Sequence, residues 1–213
     1  MLLNSTTICQ KNARSMTAVT LRMFILILYA TGALVSEILQ LRRGDIDLRR
    51  RRLTFRSLTP ALQRCVPLNI DLFRELKAFL YLDSPAPRRD AWVFHTDKSN
   101  RIDQIRMNEC FRRLRRRAGI CRRDDNKYLP RMQDFRATFA VHRLTSWIEG
   151  GMDLNRMLPA LSVYMGHSGL AAASKYLVFT PERFRKELCK LSPQKVARHW
   201  REDPQLMRFL SDL

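Results

Sequence analysis

Gln133-Asp134-Phe135-Arg136-Ala137-Thr138-Phe139-Ala140-Val141-His142-Arg143-Leu144 opens a stretch that closes with Gly166-His167 and Tyr176. An arginine three residues after a polar side chain lies on the same helical face. A tyrosine nine residues beyond a Gly-His turn can then be brought beside it. Such a set handles phosphate. Arg136 supplies a planar fork for a phosphodiester, His167 a second donor, and Tyr176 a hydroxyl that can attack phosphorus or bind it.

The charge points the same way. The chain of 213 residues carries 39 Lys and Arg against 20 Asp and Glu, a formal charge of +19. That excess repels itself unless a polyanion neutralises it, and double-stranded DNA is the first candidate partner. Arginine predominates in the basic runs Arg49 to Arg52, Arg112 to Arg117 and Arg122-Arg123, and its bidentate fork suits phosphate better than lysine's point charge. With 46% hydrophobic residues and 7 glycines the chain has the composition of a folded globular protein.

Other classes are excluded or unsupported. Five scattered cysteines, odd in number and without ligand spacing, argue against a disulfide framework or a zinc site, so no metal and no cofactor is expected. The apolar run from Met23 to Val35 is shorter than the roughly 20 residues a bilayer needs, and no targeting segment is evident. The expected location is the cytoplasm, in association with the nucleoid.

Hydrophobic patterning divides the chain into an N-terminal tail or linker remnant (1–15), a domain (16–180) and a C-terminal helical tail (181–213). Thr17 to Tyr29 reads as a central buried helix, followed by a turn at Thr31-Gly32 and a short helix from Ser36 to Leu41. Arg52 to Arg56 and Arg64 to Leu68 read as a hairpin with a long exposed tip. A helix over Asp71 to Leu82 precedes a short buried strand, Trp92-Val93-Phe94. Ile102 to Ala118 forms a helix with Ile105, Cys110, Phe111 and Leu114 inward, and a long loop spans Gly119 to Pro130. Helices over Gln133 to Trp147 and Asn155 to Tyr164 follow, then the Gly-His turn and a last helix to Tyr176.

The blocks Phe135 to Leu144, Leu158 to His167 and Tyr176-Leu177, in that order, resemble the tyrosine recombinases, the phage-integrase family. The likeness runs from about Thr17 to about Arg185. It implies an α+β, mainly helical fold, the catalytic-domain fold of that family, with a small antiparallel sheet. It also implies a reaction in which Tyr176 attacks a DNA phosphate to form a 3′-phosphotyrosyl bond, with Arg136 and His167 as the other retained catalytic residues.

Three further catalytic positions depart from the family pattern. Thr31-Gly32-Ala33-Leu34-Val35-Ser36-Glu37 resembles the block of the first catalytic arginine, where this chain has Leu34. The hairpin tip that carries the family's lysine has Thr59, and the histidine of His-x-x-Arg is replaced by Gln133. The family's separate core-binding domain is also expected to be missing, since the chain begins about fifteen residues before the first catalytic helix. The resulting expectation is a DNA-binding recombinase-type protein with crippled strand cleavage, contacting DNA through Arg56, Arg64, Arg112, Arg113, Arg116 and Arg131. The alternatives are an active recombinase, or an accessory subunit that joins a related active recombinase, or a second copy of itself, through the tail.

Overall fold

The computed structural model describes residues 17–56, 63–83, 88–96, 100–120, 129–167 and 171–177. The chain divides into two compact units, Met1–Phe139 and Ala140–Leu213. Among the described residues no helix is long and apolar enough to cross a membrane.

The first unit is built on α1 (Ala18–Thr31). Thr17 starts it, its hydroxyl accepting from the N–H of Thr20 at 3.2 Å, as an N-cap does. Leu21, Phe24, Ile25 and Leu28 are buried together with Met23 and Ile27, so most of the helix circumference is covered, as its unbroken apolar run leads one to expect. Gly32 ends it at φ 61°. That left-handed conformation suits glycine, and an added β-carbon would lie 2.5 Å from the ring of Phe139. After a three-residue loop comes α2 (Val35–Leu39).

A 3₁₀ turn, Arg43–Asp45, leads into a three-stranded antiparallel meander of β1 (Ile46–Asp47), β2 (Arg52–Phe55) and β3 (Arg64–Pro67). Leu53 faces Val66 and Phe55 faces Arg64 across the β2–β3 pair, and all four are buried. Strand periodicity puts alternate residues on one face, so Arg64 is carried inward with Val66. The hairpin is as expected, with one more short strand; its tip, 57–62, lies outside the described residues.

Helix α3 (Ile70–Asp83) packs on α1, and the two are joined at their rims by Arg22 and Glu75 at 2.5 Å. Trp92-Val93-Phe94 is buried at Val93 and Phe94 but is not a strand. Among the described residues it makes one isolated bridge, Arg42 with Trp92, and it anchors through side chains: Phe94 meets Phe24 edge-on at 5.0 Å and stacks on Phe79 at 5.9 Å.

In α4 (Gln104–Arg117), capped by Asp103, the inward residues are Met107, Phe111 and Leu114. Ile105, expected among them, is 74% exposed. At about 100° per residue it stands almost opposite Met107, and the i, i+4, i+7 stripe excludes it. Cys110 is half-buried.

Helix α5 (Asp134–Glu149) begins in the first unit and ends in the second. The second unit continues through the Gly150-Gly151 break to α6 (Leu154–Met165), capped by Asp153, and α7 (Ala171–Ser174), which packs on α6. Its buried residues include Leu144, Ile148, Leu158, Leu161 and Met165. The helix expected to reach Tyr176 is this single turn. The 181–213 tail lies outside the described residues.

Candidate nucleic-acid interface

The loop between α1 and α2 is held at every residue. Arg136 Nη1 donates to the carbonyl oxygen of Gly32 at 2.5 Å. The Ala33 N–H donates to Thr31 Oγ1 at 3.3 Å, the Leu34 N–H to Glu37 Oε2 at 2.7 Å, and the Val35 N–H to Gln133 Oε1 at 3.2 Å. Glu37 is itself fixed by Arg64, whose Nε and Nη2 reach its two oxygens at 3.1 and 2.8 Å. Orphan donors at a helix start need such partners. Thr31 and Glu37 supply two of them locally and Gln133, 98 residues downstream, the third, while Arg136 ties down the Gly32 carbonyl and Arg64 fixes Glu37, so tertiary interactions help to fix the loop.

This clamp accounts for three of the residues singled out above. Arg136 is buried at 6% exposure. Gln133 spends its oxygen on Val35, and its amide nitrogen is buried without a hydrogen-bond partner among the described residues. Leu34, on the loop so held, is 39% exposed and presents a bare apolar side chain.

The expected DNA-contacting arginines separate into two kinds. Arg112, Arg113 and Arg116 are exposed on the outer face of α4. Arg131 is exposed too, and pairs with Asp134 at 3.3 Å beside the start of α5. Arg56 is half exposed and binds the buried Asp45 at 2.6 Å. Arg64 does not fit the expectation of an outward DNA contact. Its side chain is 8% exposed, bound to Glu37 and lying over the ring of Phe55 at 4.8 Å. Thr59 lies outside the described residues.

In the second unit, Gly166 ends α6 at φ 69°, and the His167 N–H closes the cap on Ser162 O at 3.0 Å. This pattern of glycine followed by a six-to-one hydrogen bond fixes where the next residue's ring goes. The His167 ring stacks on Tyr176 with centroids 5.9 Å apart. Tyr176 is 5% exposed, and the Lys175 ammonium lies 5.2 Å from its ring centroid. His167 and Tyr176 are thus brought together; Arg136 belongs to the first unit.

The model of the phage integrase family matches residues 4–183. The chain belongs to the phage integrase family. Its relatives include y4rB of Sinorhizobium fredii, named as an integrase/recombinase, 28% identical over 179 residues, 83% of this chain and 55% of that protein. The tyrosine recombinase XerA of Thermococcus kodakarensis is 30% identical over 168 residues, 78% of this chain and 53% of that protein. The chain therefore spans about half the length of these curated relatives. The crystal structure of XerH site-specific recombinase bound to palindromic difH substrate has the same fold, with a TM-score of 0.64 at 20% identity, over 89% of this chain and 50% of that one.

Glu37 was legible only as a helix-start acid, and its larger task, joining Arg64 to the Leu34 loop, needed the strand register to be seen. No spacing within the sequence signals that Gln133 reaches Val35, because the bond joins residues 98 apart.

Proposed function

We propose that this chain is a site-specific recombination protein that grips duplex DNA and cleaves it poorly. The observation that carries this is Leu34: an apolar side chain on a fixed loop at the position where the resemblance puts a catalytic arginine. Attack at phosphorus loads charge onto equatorial oxygens, which need donors fixed beforehand. Loss of one such donor costs roughly 10² to 10³ in rate, and loss of a general acid, expected at Thr59, about 10² to 10⁴. These losses do not simply multiply, yet either alone slows strand cleavage heavily. The burial of Tyr176 supports the same reading.

Binding rests on different residues. The exposed arginines of α4 and the overall charge of +19 suit a phosphate backbone, and a place at the nucleoid follows from that. The retained stack of His167 on Tyr176 favours a second reading, an active recombinase that forms a 3′-phosphotyrosyl bond with a rearranged donor set. An accessory role through 181–213, with a related recombinase or a second copy, remains a further proposal on residues not described.

A duplex nicked beside the scissile phosphate, which traps the covalent adduct, separates the readings. The unaltered chain should give little or no adduct, and Leu34→Arg combined with Thr59→Lys should raise it. An abundant adduct from the unaltered chain that disappears in Tyr176→Phe would establish the active recombinase instead.

A further inference from the structure

The turn between β1 and β2 carries a second concentration of charge, apart from the exposed arginines of α4. Arg49, Arg50, Arg51 and Arg52 are consecutive and all exposed. The register Asp47↔Arg52 leaves only Leu48 to Arg51 to connect the strands, so three of the four guanidinium groups spring from one tight bend and the fourth from the first residue of β2. Asp47 is the acid beside them. It accepts from the Arg50 N–H at 2.9 Å, and its carboxylate is 4.0 Å from the Arg50 Nε.

The backbone under these side chains is pinned. The Leu68 N–H donates to the Arg51 carbonyl at 2.8 Å, tying the bend to the end of β3. Arg51 itself has φ 53° and is the only non-glycine residue with positive φ among the described residues. Glycine or asparagine relieves that conformation, and a long β-substituted cation does not. A fold optimised for stability alone would not place arginine there, and such an outlier points to a function of the side chain.

The topology separates this bend from the hairpin tip. In an antiparallel meander of order β1-β2-β3, the β1–β2 and β2–β3 connections lie at opposite ends of the sheet. We infer that the Arg49–Arg52 bend is a separate duplex-binding surface, which holds the phosphodiester backbone of double-stranded DNA at the end of the sheet opposite Phe55 and Arg64. The inference rests on the DNA-binding reading proposed above. Arginine without any lysine favours bidentate phosphate binding over a diffuse attraction to an anionic surface.

The test is the salt dependence of binding to a mixed-sequence DNA duplex, by fluorescence anisotropy from roughly 50 to 200 mM salt. Removing one cation that neutralises a phosphate lowers the slope of log K against log salt by about 0.9. The variant Arg49→Gln/Arg50→Gln/Arg52→Gln should therefore reduce the slope by roughly 2 to 3. Arg51→Gly should reduce it by about 0.9 while melting no lower than the unaltered chain, and it decides the matter alone if the triple variant does not fold. A slope unchanged in these variants, but reduced in Arg112→Gln/Arg113→Gln/Arg116→Gln, would overturn the inference and leave DNA binding standing. A flat response of the unaltered chain would overturn both. Loss of binding to phosphatidylserine vesicles, with duplex binding intact, would reassign the bend to a membrane surface and also overturn it.

Discussion

Arg136 donates to the carbonyl oxygen of Gly32, 104 residues earlier in the chain, from a position at 6% exposure. The residue that the resemblance assigns to phosphate is thus also a strut of the α1–α2 loop. A hydrogen bond from a charged donor is worth about 1.5–3 kcal/mol. Arg136→Met keeps much of the volume and removes the donor, so it should lower unfolding stability by about that amount as well as weakening DNA binding. A urea midpoint equal to that of the unaltered chain would show that the strut is not formed in solution.

Arg64 is buried and Glu37 largely so, their side chains 8% and 13% exposed, with two hydrogen bonds between them and a third from the Leu34 N–H to Glu37. Removing one member of a buried pair strands the other's charge and costs roughly 3–5 kcal/mol. Arg64→Met alone should fall in that range, while Arg64→Met with Glu37→Gln should cost clearly less than the two single changes summed. A double-mutant cycle in urea measures the difference. Additive losses would mean that the two side chains do not interact.

Gly32 faces two separate obstacles to substitution, its φ of 61° and the Phe139 ring 2.5 Å from where a β-carbon would sit. The left-handed backbone costs an L residue about 1–2 kcal/mol, and overpacking about 1–3 more. Gly32→Ala should therefore destabilise by roughly 2–5 kcal/mol. Adding Phe139→Leu should recover only the steric part, because the backbone strain stays. Full recovery, read by thermal melting, would show that the φ carries no cost.

What was legible in the sequence is what period and punctuation encode. The all-round apolar run gave α1 its buried place, and Gly32 and Gly166 marked helix ends because each must adopt positive φ. The hairpin was legible as two extended pieces and the small sheet was implied by the resemblance, but the inward place of Arg64 was not legible from its charge. Val66 is buried on β3, so a residue two positions away shares its face whatever its charge. Ile105 is the complementary case, an apolar residue that stands outside the stripe of Met107, Phe111 and Leu114 and so faces outward. The clamp on the Leu34 loop was illegible. Its bonds from Gln133 and Arg136 join residues 98 and 104 positions apart, and no local pattern records a tertiary hydrogen bond.

Acid should loosen the packing of α1 on α3. The hydrogen bond from Arg22 holds the Glu75 carboxyl below its usual range, more than partial burial raises it. A carboxylate whose folded pKa is depressed adds stability above its unfolded pKa of about 4.3, and that stability is lost as pH falls through the lower folded value. The matching rise at Arg22 matters only in strong alkali. Both side chains are more than one-third exposed, so the pair is worth less than about 1 kcal/mol at moderate salt. Stability measured in urea below about pH 4 should therefore fall slightly less steeply in Glu75→Gln than in the unaltered chain. Identical pH profiles would assign the pair no role in acid sensitivity.

Leu34 provides the sharpest separation of scaffold from chemistry. Its side chain is 39% exposed, while its backbone is held by Glu37 and its neighbours by Arg136 and Gln133. The loop conformation is therefore set by groups other than the Leu34 side chain. Leu34→Arg should change stability by no more than about 0.5 kcal/mol, as exposed substitutions do, yet steepen the salt dependence of duplex binding by about 0.9 if the new guanidinium meets a phosphate. Greater affinity without adduct on the nicked duplex would mean that the donor at the hairpin tip is also required. A large drop in stability would instead show that the leucine is packed in solution.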